Sequence, residues 1–338
     1  MDPARRNRLG RVDLEVTAFG FGTAPIGNIF REISDAEARA MIDTAWDAGV
    51  RFFDTAAMYG HGLSELRLGE ALRWRNRDDF VVASKVGRVL KPARRKDIDF
   101  GVWNNPASFR AVFDYSYDGT MRAFEDALQR MALEHMEIAF IHDIDVYTHG
   151  DRQPEMFRAA MDGAAKALLK LRDEGAVKAI GVGVNEWEVC HAALVEHDFD
   201  VFLLAGRYTL LEQEALDTFF PLCAERGATA VVGGGFNSGI LATGAVAGAK
   251  YNYAPAPPAV MEKVRKIEAV CRAHGVPLPA AALQFVVAHP QVPSFIAGTR
   301  TVAQLRQNLD WFALPIPADF WAELKHAGLL RADPPVPA

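Results

Sequence analysis

Four ionisable residues stand at or just beyond the ends of short apolar runs in the first half of the chain. Asp54 closes the run 51–54 and Tyr59 follows it, Lys85 follows 80–84, and His142 closes 137–142. Taken singly, each has an ordinary explanation: a strand-terminal Asp often caps a helix, a Lys there is often solvated, and a Tyr in a Met-Tyr-Gly turn often packs. Four at consecutive strand ends is a different pattern, because parallel strands of one sheet bring such residues to a common mouth. An ammonium near a phenol stabilises phenolate and should lower the tyrosine pKa from about 10, while a carboxylate beside the lysine keeps it charged and oriented. Such a tyrosine can exchange protons near neutral pH, and a histidine at the same mouth can hydrogen-bond a substrate oxygen. No metal-ligand spacing and no Ser or Cys nucleophile arrangement accompanies them, so no metal is expected. Proton transfer at an oxygen bonded to carbon points to carbonyl or alcohol redox chemistry.

The elements that must position these residues follow from periodicity. Strand-like runs are 18–22, 51–54, 80–84, 137–142, 177–182, 201–204, 228–232 and 294–297, preceded by a hairpin over 9–16. Between them lie stretches of helical period: 34–48, opened by a capping box of Ser34 and Glu37, then 63–74, 118–133, 154–173, 187–196, 214–226, 258–274 and 301–312. Strict alternation of strand and helix means parallel pairing with right-handed crossovers. Spread over 338 residues, eight units average roughly 40 residues each, which suits one (β/α)₈ TIM barrel across 1–338 better than an open sheet with a second domain. Three connections, 86–117, 143–153 and 236–257, exceed the usual loop length and should lie on the C-terminal face, where they shape a pocket.

Composition narrows the function classes. Half the residues are hydrophobic and 24% are charged, which supports a large core and argues against disorder. Lys and Arg number 37 against 43 Asp and Glu, a net charge of -6, so the basic surface that nucleic acid needs is missing. No run reaches the roughly 18 residues of a membrane span, and the charged start 1–8 lacks the apolar core of a signal peptide, so a cytoplasmic protein without a membrane partner is expected. Cys190, Cys223 and Cys271 fall in no CxxC spacing and read as reduced structural thiols.

The motifs Asp54-Thr-Ala-Ala-Met-Tyr59-Gly60, Ala83-Ser84-Lys85, Phe140-Ile141-His142 and Ile180-Gly181-Val182-Gly183-Val184-Asn185 resemble those of the aldo-keto reductase superfamily, over roughly residues 8–330. The resemblance implies a (β/α)₈ barrel closed below by a hairpin. It implies Tyr59 as general acid/base, tuned by Lys85 and Asp54, with His142 orienting the substrate oxygen while hydride passes to or from nicotinamide. It places a dinucleotide across Gly22, Thr23, Asp54, Asn185, Gly233, Gly234, Gly235, Asn237, Ser238, Gly239, Gly298, Thr299, Arg300, Gln304, Gln307 and Asn308. A Rossmann site is disfavoured, since Gly20-Phe21-Gly22-Thr23-Ala24-Pro25 lacks the third glycine of that fingerprint.

Departures from the family pattern carry information. Many NADPH-dependent members have a Lys where Gly298 stands and an Arg where Gln304 stands, cations that a 2′-phosphate needs. The expectation is therefore NAD, with NADP possible because Arg300 could supply one charge. Gly233 replaces a frequent nicotinamide-stacking aromatic, and Val184 and Ala205 replace a frequent Ser and Gln, leaving Asn185 to hold the carboxamide.

The runs 202–213, 234–239 and 251–258 are similar to a narrower branch, the D-threo-aldose 1-dehydrogenases of L-fucose or L-galactose type and pyridoxal 4-dehydrogenase. That branch implies a small-molecule substrate and oxidation of a cyclic hemiacetal to a lactone. Trp103, Tyr147 and Arg207 are substrate candidates, the aromatic walls suiting either a sugar face or a pyridine ring. Two other functions stay open: an NADPH-dependent aldehyde or ketone reductase, and a cofactor-binding auxiliary subunit of a partner protein. The sequence leaves the oligomeric state open.

Overall fold

The computed structural model describes residues 1–337. An antiparallel pair, β1 (Arg6–Arg8) and β2 (Glu15–Thr17), precedes β3 (Phe19–Gly22), β4 (Phe52–Asp54), β5 (Val81–Val86), the hairpin β6 (Arg88–Pro92) and β7 (Phe109–Phe113), and β8 (Ile138–His142). Next come β9 (Ala179–Val184), β10 (Val201–Ala205), β11 (Thr229–Gly233), a short pair β12 (Lys250–Tyr251) and β13 (Ala254–Pro255), and β14 (Phe295–Gly298). The eight strands β3, β4, β5, β8, β9, β10, β11 and β14 close a barrel in that circular order, every pair parallel. The eight expected runs are these eight strands. The (β/α)₈ architecture is the one the alternation predicts.

Strand pleating then decides which side chains enter the lumen, because alternate residues face opposite sides of a sheet. Phe52, Val81, Ala83, Ile138, Phe140, Ala179, Val201, Leu203, Val231 and Ile296 form one buried cluster with Leu9, Leu14 and Val16 of the hairpin region. That cluster fills the barrel, and the hairpin residues plug its lower end. The intervening residues, among them Phe53, Val82, Ala139, Ile141, Ile180 and Phe202, belong to the larger cluster packed against the helices. Two-residue steps up from the lumen layer lead to Asp54 on β4, Lys85 on β5 and His142 on β8. The same steps reach Gly183, Ala205, Gly233 and Gly298 on β9, β10, β11 and β14. The barrel's top layer is thus charged on one side and nearly bare on the other.

The helical layer departs from expectation in places with identifiable causes. The capping box at Ser34 forms as expected, opening Asp35–Asp47. The stretch 214–226 is a 3₁₀ turn, Glu214–Leu216, followed by the helix Phe219–Arg226, because Pro221 has no N–H to give the carbonyl of Asp217. The long stretch over 154–173 contains a π-helical turn, Ala160–Ala164. Helix Leu278–Val287 was not expected from periodicity. All ten of its residues are buried, so it has no polar face to produce a helical rhythm. It packs on helix Val302–Ala313 and on β14, whereas Pro258–Ala273, expected as the seventh barrel helix, touches it more lightly than Val302–Ala313 does and also packs on Ala318–His326, a second helix the periodicity did not show. Among the described residues no single helix is long and apolar enough to cross a membrane. The two helices that approach that composition together, Pro258–Ala273 and Leu278–Val287, meet at a bend of 99°.

The lumen is tight enough to test. A Cβ on Gly181 of β9 would lie 1.5 Å from the Val201 carbonyl oxygen of β10, and backbone cannot swing aside as a side chain can. Gly181→Ala should therefore lower stability by about 3 kcal/mol or more in a urea titration. An unchanged midpoint would mean that β9 and β10 separate more freely than this barrel allows.

Candidate active site

At the top of the lumen the Lys85 ammonium lies 2.8 and 2.9 Å from the two oxygens of Asp54 and 2.8 Å from the Thr55 carbonyl. Its three hydrogens therefore have three acceptors. Both side chains are almost fully buried. Burial pulls the Lys85 pKa down, but Asp54 and Tyr59 more than offset it, and the ammonium titrates above its usual range. Burial likewise pushes the Asp54 carboxyl up, opposed by the charge and hydrogen bonds of Lys85. Asp54 is held from behind as well: its carbonyl accepts from Thr23 N–H, and Thr55 N–H donates to Ala83. Lys85 is thus inside β5, which runs on to Val86, and not beyond the strand as the run 80–84 suggests.

Tyr59 stands in the turn between β4 and helix Leu63–Leu72, with Lys85 Nζ 4.7 Å from its ring centre. The turn is clamped by close backbone approach, since a Cβ on Gly27 would lie 2.7 Å from the Tyr59 carbonyl carbon. Only glycine fits there. The sequence expectation of a lowered phenol pKa does not hold. Burial of the ring outweighs the Lys85 charge, and Tyr59 is pushed up to about 12.

His142 ends β8 with its ring edge-to-face to Tyr59, centres 6.0 Å apart. Burial, reinforced by the charges of Arg88 and Lys85, holds its pKa well below the ordinary value, so the ring is neutral. Trp103 lies beside Tyr59, 5.9 Å between ring centres, and is itself buried. It comes from the 86–117 connection and is tied to the β3 side through an isolated bridge with Ile29. The four expected catalytic residues and one expected substrate wall therefore meet in one place. The other two substrate candidates do not reach it directly. Tyr147 is 62% exposed on the rim, stacked on Tyr253 at 5.7 Å. Arg207 Nη1 bonds Glu212 and Asn252. It braces the 236–257 loop together with Tyr251, whose hydroxyl donates to Glu212 at 2.6 Å.

Two residues that sequence reasoning missed, Arg88 and Asp143, lie behind His142. Arg88, 7% exposed, approaches the His142 ring and pairs with Asp143, and the buried Tyr115 hydroxyl is 2.9 Å from the His142 carbonyl and 2.7 Å from that of Asp143. Arg88 opens the unexpected strand β6, so no strand-end rule pointed to it.

The bare side of the mouth has the opposite character. A Cβ on Gly233 would meet nothing nearer than Leu203 at 3.9 Å, and one on Gly183 would rest 3.6 Å from the Lys85 side chain. Gly22 borders Asp54 in register and Gly298 borders Gly22. Two buried polar atoms near this floor have no partner, Thr299 Oγ1 and Asn237 Oδ1, although Asn237 Nδ2 donates to Gly206. Gly234, Ser238 and Gly239 are open to the surface to varying degrees, and Ser238 Oγ accepts from Tyr253 N–H. Gly235 is a packing residue, its missing Cβ making room for the Phe295 ring at 2.3 Å. Asn185 follows β9, its N–H bonded to Asp145. Thr23 differs from expectation: it is fully buried and its hydroxyl accepts from Ser64, so its side chain fastens the Asp54 turn. Arg300 is exposed with its guanidinium 5.6 Å from the Phe30 ring centre. Gln304 takes part in a helix cap, its side chain accepting from Arg300 N–H while its own N–H donates to Thr301. On the same helix Gln307 is exposed and Asn308 buried.

Comparison with known proteins agrees with this geometry. The model of the aldo/keto reductase family matches residues 18–328. The chain belongs to that family. It is 42% identical to the pyridoxal 4-dehydrogenase of Microbacterium luteolum, covering 97% of this chain and 98% of that protein. It is 40% identical to a D-threo-aldose 1-dehydrogenase from a Pseudomonas species, covering 94% and 95%. Among solved structures, an aldo-keto reductase from Bacillus halodurans in its holo form superposes with a TM-score of 0.72 at 23% identity, over 97% of each chain, which supports the fold. The protein is an oxidoreductase, and aldo-keto reductases use nicotinamide cofactors.

The bare side of the mouth fits such a cofactor. A flat ring needs a floor without side chains, which Gly183 and Gly233 provide, and the unpartnered Thr299 and Asn237 oxygens offer polar contacts that the protein alone leaves unused. A hydroxyl with no partner contributes nothing to the free protein, and replacing it with a methyl of the same shape removes only its desolvation cost. Thr299→Val should leave the melting temperature of the cofactor-free protein unchanged or slightly raised, while weakening dinucleotide binding about tenfold in a fluorescence titration. Equal affinity in the two proteins would place the dinucleotide elsewhere.

Proposed function

We propose that this oxidoreductase oxidises the hemiacetal carbon of a cyclic lactol, an aldose or pyridoxal, to a lactone with NAD as the preferred cofactor. The observation that carries this reading is the convergence of Tyr59, the Lys85–Asp54 pair and a neutral His142 at the top of one barrel. The relatives named above support the substrate class: an aldose and pyridoxal both close to internal hemiacetals, and both lose the same C–H and O–H hydrogens on oxidation.

Nicotinamide, when bound, supplies the hydride acceptor. The protein's own part is proton handling at the hydroxyl oxygen. His142, being neutral, keeps one ring N–H to donate to that oxygen and fix its approach. Tyr59 takes the hydroxyl proton as its C–O bond becomes a carbonyl. The ammonium of Lys85 stabilises the phenolate that must accept it, and Asp54 keeps that ammonium in place. Burial raises Tyr59, so oxidation calls for positive charge that brings its phenol down. The positive charge of an oxidised cofactor beside the ring would add to that of Lys85 and bring the phenol down.

Support for NAD comes from charge. A 2′-phosphate dianion calls for cations, and the chain has Gly298 and Gln304 at the two positions where family members have them. Gln304 is also committed to its helix cap. Arg300 is the one nearby cation, and its guanidinium lies by Phe30.

One panel tests the reading: reduced-cofactor formation with pyridoxal, L-fucose, L-galactose and D-arabinose, each with NAD and with NADP. Turnover of at least one lactol, favouring NAD, is expected. Equal efficiency with both cofactors would overturn the NAD preference, and no oxidation of any of the four would overturn the substrate class. Tyr59→Phe should reduce kcat by about 10²- to 10⁴-fold while dinucleotide affinity stays the same. In the wild type, kcat/KM for oxidation should rise with pH between about 6 and 9 as the base form of Tyr59 grows. A profile that falls over that range would assign the proton step to another group.

A further inference from the structure

Every nitrogen of the His142 ring has a neighbour that constrains its proton. Nδ1 lies 3.2 Å from Arg88 Nη1. A guanidinium has five donors, no acceptor, and does not deprotonate in proteins, so Nδ1 must be the accepting partner. The tautomer with hydrogen on Nδ1 would set donor against donor, and the imidazolium would do the same while adding a second positive charge. Both are disfavoured by one contact. The proton left to a neutral ring is on Nε2, the nitrogen not turned toward Arg88.

Arg88 has no freedom to leave that position. It is 7% exposed, its Nη2 is 2.8 Å from Asp143 Oδ2, and its guanidinium carbon sits 4.2 Å from the centre of the Phe113 ring. Arg88 and Phe113 face each other in the register of the β6–β7 hairpin. Asp143 is fixed in turn. It adopts a left-handed backbone, φ 53°, a conformation that Asp takes more readily than most non-glycine residues. Its N–H donates to Gly183 O at 3.0 Å, and Tyr115 supplies a hydroxyl beside its carbonyl. The residue next to His142 thus turns its carboxylate to Arg88.

We propose that Arg88, held by Asp143, is a positioning residue that fixes His142 as the neutral Nε2–H tautomer, so that the ring always presents a donor to the substrate oxygen. The proposal rests on His142 being the group that meets that oxygen. The charged and titratable groups facing the ring are Arg88 from β6, Lys85 from β5, Tyr59 from the turn after β4, and Asp143, whose Oδ1 lies 3.4 Å from Nε2. Behind its peptide stand Tyr115 and His149, hydroxyl and ring nitrogen 3.0 Å apart. Asp143 alone among these favours an imidazolium, and its charge is engaged by Arg88. Burial and the two cations act in the other direction.

The test reads the ring nitrogens directly. With ¹⁵N-labelled histidine and His142→Gln to assign the signal, the free wild type should show one protonated Nε2 and one bare Nδ1, without titration from about pH 5 to pH 9. Arg88→Met should admit the Nδ1–H form or an imidazolium titrating inside that window, and lower kcat/KM by about tenfold or more at a pH where the ring is neutral. Arg88→Lys, which keeps a charge and a donor, should restore the Nε2–H signal. A wild-type ring protonated on Nδ1, or a spectrum that Arg88→Met leaves unchanged, would overturn the proposal. Should Arg88→Met fail to fold, the wild-type spectrum and Arg88→Lys still decide it. No substrate is needed for this spectrum, so a protein that oxidises no lactol would refute the proposed reaction and leave the tautomer assignment to stand or fall separately.

Discussion

An ammonium with all three hydrogens engaged, at the top of a sealed apolar barrel, is the contact on which the rest of the site depends. Moving Lys85 and Asp54 out of water is costly, and one buried charge without the other would be worse. The chain meets that cost with two short bonds to one carboxylate and one to a carbonyl. A residue set this firmly can tune a neighbour. Tyr59 lies against it, in a turn whose glycine contact leaves the phenol little choice of place. His142, kept neutral partly by the same ammonium, completes the triangle.

Pleating explains why the mouth has two unlike sides. Every strand delivers an inward residue to the top layer, and on β4, β5 and β8 it is Asp54, Lys85 or His142. On β9, β11 and β14 it is glycine. One side can therefore manage protons while the other leaves space for a flat ring, and no hinge or separate domain is needed to bring them together. The long connections add the walls: Trp103 beside Tyr59 from one, the Tyr147–Tyr253 stack across two others.

Most of this framework was legible in the sequence because its signals are local. Strand runs with Asp54, Lys85 and His142 at or just past their ends carry both their element and their direction in the alternation of residues. Helix Leu278–Val287 was not legible, since a segment buried on every side has no period to read. The direction of the Tyr59 shift was misread for a related reason: charge neighbours can be inferred from spacing, but depth of burial is a property of the closed barrel. Thr23 was expected to face the cofactor and instead secures the Asp54 turn, a difference set by Ser64 some forty residues on. Arg88 and Asp143 escaped notice because their importance lies in a contact between β6 and the end of β8, which no single stretch of sequence contains.

The account turns on one bond, the C–H of a hemiacetal carbon, being broken at this site. The direct measurement is turnover of a lactol carrying deuterium at that carbon, with mass analysis of both products. The account predicts deuterium in the reduced nicotinamide and an organic product that has lost that deuterium and one hydroxyl hydrogen, the lactone. Deuterium retained in the organic product would contradict it.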